Sequence, residues 1–146
     1  MKSLQGHLLV ASPKLVDPNF FNTVVLLVQH GSDGALGLVL NRPLQATIQD
    51  VWQGESDCVI QAPLHQGGPC EGPLMVVHGA QGLSEMQVCE GIYFCTSSAQ
   101  IEGLVSEGGI QAKPGEITPI KFFVGYAGWT AGQLEAELAD ESWFPI

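Results

Sequence analysis

This chain reads as an α+β protein, and three observations say so. Short apolar runs bounded by glycine, proline and aspartate recur along the whole length, and helix-start patterns of the Ser/Thr-x-x-Asp/Gln kind stand between some of them. The two do not alternate with the regularity that a doubly wound parallel sheet demands. Composition suits such a fold, since 45% hydrophobic against 14% charged residues is far from that of a disordered chain. With 146 residues, a single domain over 1–146 is expected. A domain of that size buries about 68 to 70% of its unfolded surface.

The first run, His7-Leu8-Leu9-Val10-Ala11, predicts a buried strand closed by Ser12-Pro13. Asp17-Pro18 resembles a helix start, with Asp17 as cap, Pro18 in the first turn, and Phe20 and Phe21 anchoring a short turn. Thr23 to Gln29 is apolar and rich in β-branched residues, Gly31-Ser32-Asp33-Gly34 has turn chemistry, and Ala35 to Leu40 is apolar again. This is the clearest hairpin in the sequence. Its strands are apolar on both faces rather than alternating, which places them in a covered sheet or a small barrel.

Asn41-Arg42-Pro43 ends the second strand, and Thr47-Ile48-Gln49-Asp50 is a capping box opening a helix toward Trp52. Gly54 to Asp57 reads as loop. Further strands are expected at Val59 to Ala62, Leu64 to Gln66, Leu74 to Val77 and Ile92 to Cys95, separated by Gly67-Gly68-Pro69 and by Gly79 to Ser84. Ser97 to Gln100 is a second capping box, whose helix stops at Gly108-Gly109. A last strand, Ile117 to Val124, leads into a glycine loop at 125–132. There Thr130 and Gln133 form a third capping box, with Ala131, Leu134 and Leu138 on one helical face.

The formal net charge is −10, from five Lys plus Arg against fifteen Asp plus Glu, so the global field repels polyanions. Direct nucleic-acid binding is therefore not expected: Lys2, Lys14, Arg42, Lys113 and Lys121 are scattered and build no basic stripe. Cys58, Cys70, Cys89 and Cys95 contain no Cys-x-x-Cys pair and read as reduced thiols of the core. The start is too early broken for a secretory signal, and nothing approaches the length of a membrane span, so a cytoplasmic location is expected.

The landmarks resemble the AlgH/YqgE family of bacterial proteins. The likeness runs through Leu4-x-Gly6-x-Leu8-Leu9-x-Ala11-x-Pro13, Asp17-Pro18-x-Phe20, His30 and Gly34-Ala35-x-Gly37-Leu38-Val39-Leu40-Asn41-Arg42-Pro43. It continues through Gly67-Gly68-Pro69, Leu74, His78 and Gly91-x-Tyr93 to Gly125-Tyr126-Ala127-Gly128-Trp129-x-x-Gly132-Gln133-Leu134-Glu135 and Trp143. The resemblance implies a mixed architecture with a partly closed sheet. Added to the runs above, the expectation is a barrel-like sheet of about six to eight strands with three to four short helices. The family carries a transcriptional-regulator label and no agreed activity. Its members tend to have arginine where Lys121 stands and to continue beyond Trp143, so no role for that tail is carried over.

Two readings of the 125–132 loop stand side by side. Backbone N–H groups of residues 130–133, at the positive end of a helix dipole, suit an anion, with Arg42 or Lys121 as counter-charge. Alternatively the glycines serve close packing, Tyr126 and Trp129 fill core, and Thr130 and Gln133 satisfy the first N–H groups themselves. The candidate ligand-binding residues are Asn41, Arg42, Lys121, Gly125, Tyr126, Gly128, Trp129, Thr130, Gln133 and Glu135. Arg42, the only arginine, follows an apolar strand and needs a carboxylate or several carbonyls; Glu135 is the partner that would join hairpin end and final loop in one pocket. His30, His65 and His78 with Cys70 match no common zinc spacing and read as structural, and no catalytic spacing or cofactor fingerprint is present. Glu135, Glu137, Asp140 and Glu141 read as a solvated face, or as a face for a basic protein partner.

Together these point to a non-catalytic cytoplasmic binding or regulatory module working through a protein partner or a small ligand. The alternative is a small enzyme acting on a phosphorylated or carboxylated metabolite at the 125–132 loop.

Overall fold

The computed structural model describes residues 2–54, 58, 62–79, 81–105 and 120–146. In chain order the elements are β1 (Leu8–Ala11), β2 (Val24–Gly31), β3 (Gly34–Val39), β4 (Pro43–Thr47), α1 (Ile48–Val51), β5 (Pro63–Gln66), β6 (Met75–His78), a 3-10 turn (Gln81–Leu83), β7 (Met86–Cys89), β8 (Ile92–Cys95), α2 (Ser98–Val105), β9 (Ile120–Val124), β10 (Ala127–Thr130), α3 (Gln133–Ala139) and β11 (Trp143–Pro145). The fold is mixed α+β, as the sequence predicts. Where one partly closed sheet of about six to eight strands is expected, the described residues form eleven strands in two sheets, neither closed into a barrel.

One sheet has five strands in the order β10-β3-β2-β1-β11, and the other six in the order β4-β5-β9-β6-β8-β7. All neighbours are antiparallel except β5 and β9. The sheets pack face to face over a shared core of Leu26, Val28, Leu38, Met75, Val77, Val88 and Phe123. Alternate residues of the same strands point the other way. Val25, Leu27 and Val39 join Trp129, Trp143 and Leu134 of α3 in a second core outside the five-stranded sheet. Val76, Phe122 and Cys95 join Ile48 of α1 and Ile101, Leu104 and Val105 of α2 outside the six-stranded one. Period-two burial on both faces thus explains the unbroken apolar runs: each inner strand is covered twice.

The β2–β3 hairpin is as predicted, with Gly31 opposite Gly34 around Ser32-Asp33. At Asp17-Pro18 the chain makes a turn instead of starting a helix: Asp17 O accepts from the N–H groups of Phe20 (3.0 Å) and Phe21 (2.8 Å), and Asp17 Oδ1 takes the Asn19 N–H at 2.8 Å. The Thr47 box opens only the single turn α1, with the Thr47 N–H donated to Asp50 Oδ2 at 2.7 Å. The helix after Ser97 is present, but its box is not closed by Gln100, whose Nε2 donates to Ser84 O; Glu85 takes the Ser97 N–H. The Gly108-Gly109 stop, the start of the predicted last strand at 117–119 and residues 59–61 lie outside the described residues.

Candidate functional site

The two longest motifs meet in one strand pair. β10 runs antiparallel to β3, placing Ala127 opposite Gly37, Gly128 opposite Leu36, Trp129 opposite Ala35 and Thr130 opposite Gly34. The expected glycine loop is therefore mostly strand. Gly125 lies between β9 and β10, so the chain passes there from the six-stranded sheet to the five-stranded one, at φ 78°, where glycine carries no side-chain penalty. The backbone of Gly67 and Gly68 packs against that of residues 125–127 so closely that a Cβ on Gly68 would strike Tyr126 and Ala127. Cys70 and Tyr126 exchange backbone hydrogen bonds at 3.0 Å beside the crossing. These glycines are used for packing two sheets together.

The candidate residues fall into separate groups. Asn41 bridges the hairpin end: its Oδ1 accepts from Val24 N–H and its Nδ2 donates to Asn22 O, both at 2.9 Å. Arg42 clamps the 12–23 loop, donating to Pro18 O (3.0 Å) and Phe21 O (2.9 Å), so it is carbonyls and not Glu135 that hold the guanidinium. Lys121 lies on β9 opposite Val77; its charge is the second cause, after burial, that holds the imidazole of His65 below the ordinary histidine range. Gly125 lines a cleft of about 500 Å³ with Gln66, Pro69, Cys70 and Glu71. Tyr126 packs on the intersheet core, and Gly128 lies in β10 across from Leu36.

Trp129, Thr130, Gln133 and Glu135 surround the start of α3. This helix has seven residues, begins after Gly132 in the left-handed region (φ 79°), and carries Glu135 in its first turn. Thr130 is not its cap: it ends β10 and donates both its N–H (3.0 Å) and its hydroxyl (3.3 Å) to Gln133 Oε1. The acidic stretch is not a merely solvated face either. Glu137 Oε1 accepts the indole N–H of Trp129 (3.1 Å) and of Trp143 (3.0 Å), and Oε2 takes Gln133 Nε2 at 2.9 Å. Phe20 packs against both indoles, with ring centroids 6.2 and 5.6 Å away.

His30 ties these parts together. The Leu4 N–H donates to its Nδ1 at 2.9 Å, so the ring proton sits on Nε2, which donates to Glu135 Oε1 at 2.6 Å. The side chain of His30 is 3% exposed, and both its nitrogens are spent. The same N-terminal segment is stitched on by Ser3 Oγ to His30 O (3.0 Å), Gly6 N–H to Leu27 O (2.7 Å), and Gln5 Nε2 to Val88 O (3.2 Å) on β7. Two clefts flank the His30-Gly31-Ser32 stretch. One, of about 490 Å³, is lined by Gln5, Gln29, Asp33, Leu36 and Trp129; the other, of about 210 Å³, by Ser3 and Glu135. Among the described residues, no group of three or more His, Cys, Asp or Glu side chains is placed to hold a metal ion, and the four cysteines are free thiols.

A family model described as AlgH-like matches residues 8–146. The chain belongs to the AlgH-like family. Among curated relatives, the UPF0301 protein of Chlorobaculum tepidum is 37% identical over 142 residues, covering 95% of this chain and 72% of that one. A UPF0301 protein of Pseudomonas entomophila is 36% identical over 148 residues, covering 96% and 75%. The solution structure of the AlgH protein from Pseudomonas aeruginosa aligns with a TM-score of 0.74 at 32% identity, covering 99% of this chain and 77% of that one. The crystal structure of DIP2367 from Corynebacterium diphtheriae aligns with a TM-score of 0.77 over 100% of this chain and 76% of that one; at 22% identity it speaks for the fold alone. No helix among the described residues is long and apolar enough to cross a membrane.

In this AlgH-like chain the sequence reading missed Glu137 as the acceptor of two indoles, His30 as the partner of Glu135, and Glu85 as the cap of α2. No local pattern announces any of them. His30 and Glu135 both stand in the family motifs, but their pairing joins positions 105 residues apart.

Proposed function

We propose that this AlgH-like chain is a non-catalytic cytoplasmic binding module with a regulatory role, holding a protein partner or small ligand at the surface around the β2–β3 turn. One observation carries the reading. Polar side chains of the family motifs are already engaged within the fold: Asn41 and Arg42 on backbone groups, Thr130 with Gln133, and His30 with Glu135 and the Leu4 N–H. An imidazole with both nitrogens bound is no free base, and a guanidinium spread over two carbonyls is a clamp. Open surface remains at the clefts flanking the turn, which suits recognition. The family's regulatory label is taken as indirect control, since a net charge of −10 opposes duplex DNA.

A photo-crosslinker at Ser32 tests this, with the same group at Glu90, on the turn between β7 and β8, as the control. A defined adduct through Ser32 and none through Glu90 is expected. Equal labelling at both positions, or retardation of duplex DNA at physiological salt with affinity falling steeply as salt rises, would overturn the reading.

A further inference from the structure

We infer that His30 is a proton-operated latch on the N-terminal strap, residues 2–6: a second proton on its ring expels the Leu4 N–H and frees the strap. The device needs no ligand, so it stands apart from the binding reading above. Before Gly6, the bond from Leu4 N–H to His30 Nδ1 (2.9 Å) is the one hydrogen bond, among the described residues, that ties the strap's own backbone to another element. The other ties run through side chains, Ser3 Oγ to His30 O and Gln5 Nε2 to the carbonyls of Gln87 and Val88 on β7. Gly6, at φ 84° and packed against Cys89, turns the strap onto β1, and a glycine there absorbs a change of direction.

A backbone N–H is a donor at every pH, so the latch holds only while Nδ1 keeps its lone pair. Nε2 already carries the ring proton, donated to Glu135 Oε1 at 2.6 Å. The next proton on the ring therefore goes to Nδ1 and sets donor against donor. Glu135 keeps the ring in place, and Leu4 has to move. With the His30 side chain 3% exposed, the expelled N–H reaches water only if the strap swings outward. The groups around the ring are few. α3 faces it with Glu135, the turn carries Asp33, which lines a cleft with His30, and β3 sets Ala35 opposite. The strap has no titratable side chain from Ser3 to Gly6, with Lys2 before that stretch and His7 after it. Glu135 is the competing site, because a proton on its carboxyl would leave Nδ1 an acceptor and the latch closed. Ser3 lines the smaller cleft beside Ser32 and Gln5 the larger, so opening widens both and lifts Leu4 off the core it shares with Trp129 and Leu134.

The full, isotope-labelled chain is followed by NMR as it is acidified from about pH 8 to about pH 5, reading imidazole nitrogens and amide protection together. His30 Nδ1 should gain a proton at the same midpoint at which protection of the Leu4 amide falls about tenfold, as losing one hydrogen bond allows. Leu9 and Val25, paired in the β1–β2 ladder, should keep theirs. In His30→Asn an amide oxygen that does not titrate stands near the place of Nδ1, and Leu4 should stay protected throughout. Glu135→Gln keeps an acceptor for Nε2 without the charge and should move the opening to lower pH, whereas His7→Gln should leave it unmoved. Leu4 protection that survives protonation of His30, a proton on Glu135 beside a neutral His30, or acid loosening of Leu4 in a folded His30→Asn would each overturn the latch. So would opening in step with Leu9 and Val25, an opening abolished by His7→Gln, or unfolding of the whole chain before His30 titrates.

Discussion

Glu137 forms no ion pair among the described residues, yet three neutral donors converge on it: two indole N–H groups and the Gln133 amide. Trp129 is 6% exposed and Trp143 1% exposed, so water cannot readily replace the carboxylate. Glu137→Ala strands both indoles, and since a buried donor left unpaired costs about 1 to 3 kcal/mol, a loss of roughly 2 kcal/mol or more is expected in urea unfolding. Glu137→Gln keeps an acceptor oxygen and should cost less; equal losses in the two variants would mean that the carboxylate is not acting as an acceptor. Among the described residues, three others tie stability to pH. His65 and His78 are buried, and burial pulls both imidazoles below the ordinary histidine value of 6.5, with Lys121 adding to the effect at His65. Below that value the unfolded chain takes up protons that the fold refuses, so stability rises with pH through this window and levels off above it. Glu85, held below its ordinary 4.5 chiefly by the Thr96 N–H, adds stability that is lost as pH falls further. Urea midpoints should therefore drop between about pH 7 and pH 5, and His78→Asn should flatten that slope. An unchanged slope would show that His78 protonates equally in both states.

Among the elements, α2 is the one whose start is supplied from elsewhere in the chain. Glu85, ahead of β7, accepts from the Thr96 N–H (2.7 Å) and hydroxyl (3.1 Å) and from the Ser97 N–H, doing for the helix what Gln100 was expected to do. Glu85→Ala should cost about 1 kcal/mol, the worth of an N-cap, and hydrogen exchange should speed up first in residues 98–105; loss spread evenly over the chain would argue against a local cap. The contrast shows what the sequence can disclose. The β2–β3 hairpin is legible because its turn chemistry and its two apolar runs are contiguous. β10 is not, because Gly125, Gly128 and Gly132 look like a loop until β3 is seen beside it, with Gly37 facing Ala127. β4, β7 and β11 are short and take their form from neighbours, β11 by pairing Trp143 with Ala11. Of the site, the Arg42 clamp on carbonyls was foreseeable from an arginine after an apolar strand. The His30–Glu135 pair was not, because local pattern carries no information about contacts between distant segments.

At the scale of the molecule, the question is whether two sheets make one cooperative unit. The core between them is built by both, with Leu26, Val28 and Leu38 on one side and Met75, Val77, Val88 and Phe123 on the other, and the chain crosses between sheets at Gly125 and again between β3 and β4. Neither sheet can keep its inner face dry alone. Phe123 is fully buried there, so Phe123→Ala should cost about 3 to 5 kcal/mol. That is a large share of the roughly 5 to 15 kcal/mol that a typical domain possesses. Three tryptophans make cooperativity measurable, because Trp129 and Trp143 report the outer core of the five-stranded sheet and Trp52 packs in the helix-covered core of the six-stranded one. In Trp52→Phe, fluorescence reads the five-stranded sheet while far-UV circular dichroism reads both sheets. The two signals should trace one urea transition with a common midpoint, and Phe123→Ala, on the opposite sheet from the reporting tryptophans, should move both midpoints together. Separated transitions, or a fluorescence midpoint that ignores Phe123→Ala, would mean that the five-stranded sheet with α3 holds its structure without the other, and that the intersheet core binds two units rather than making one.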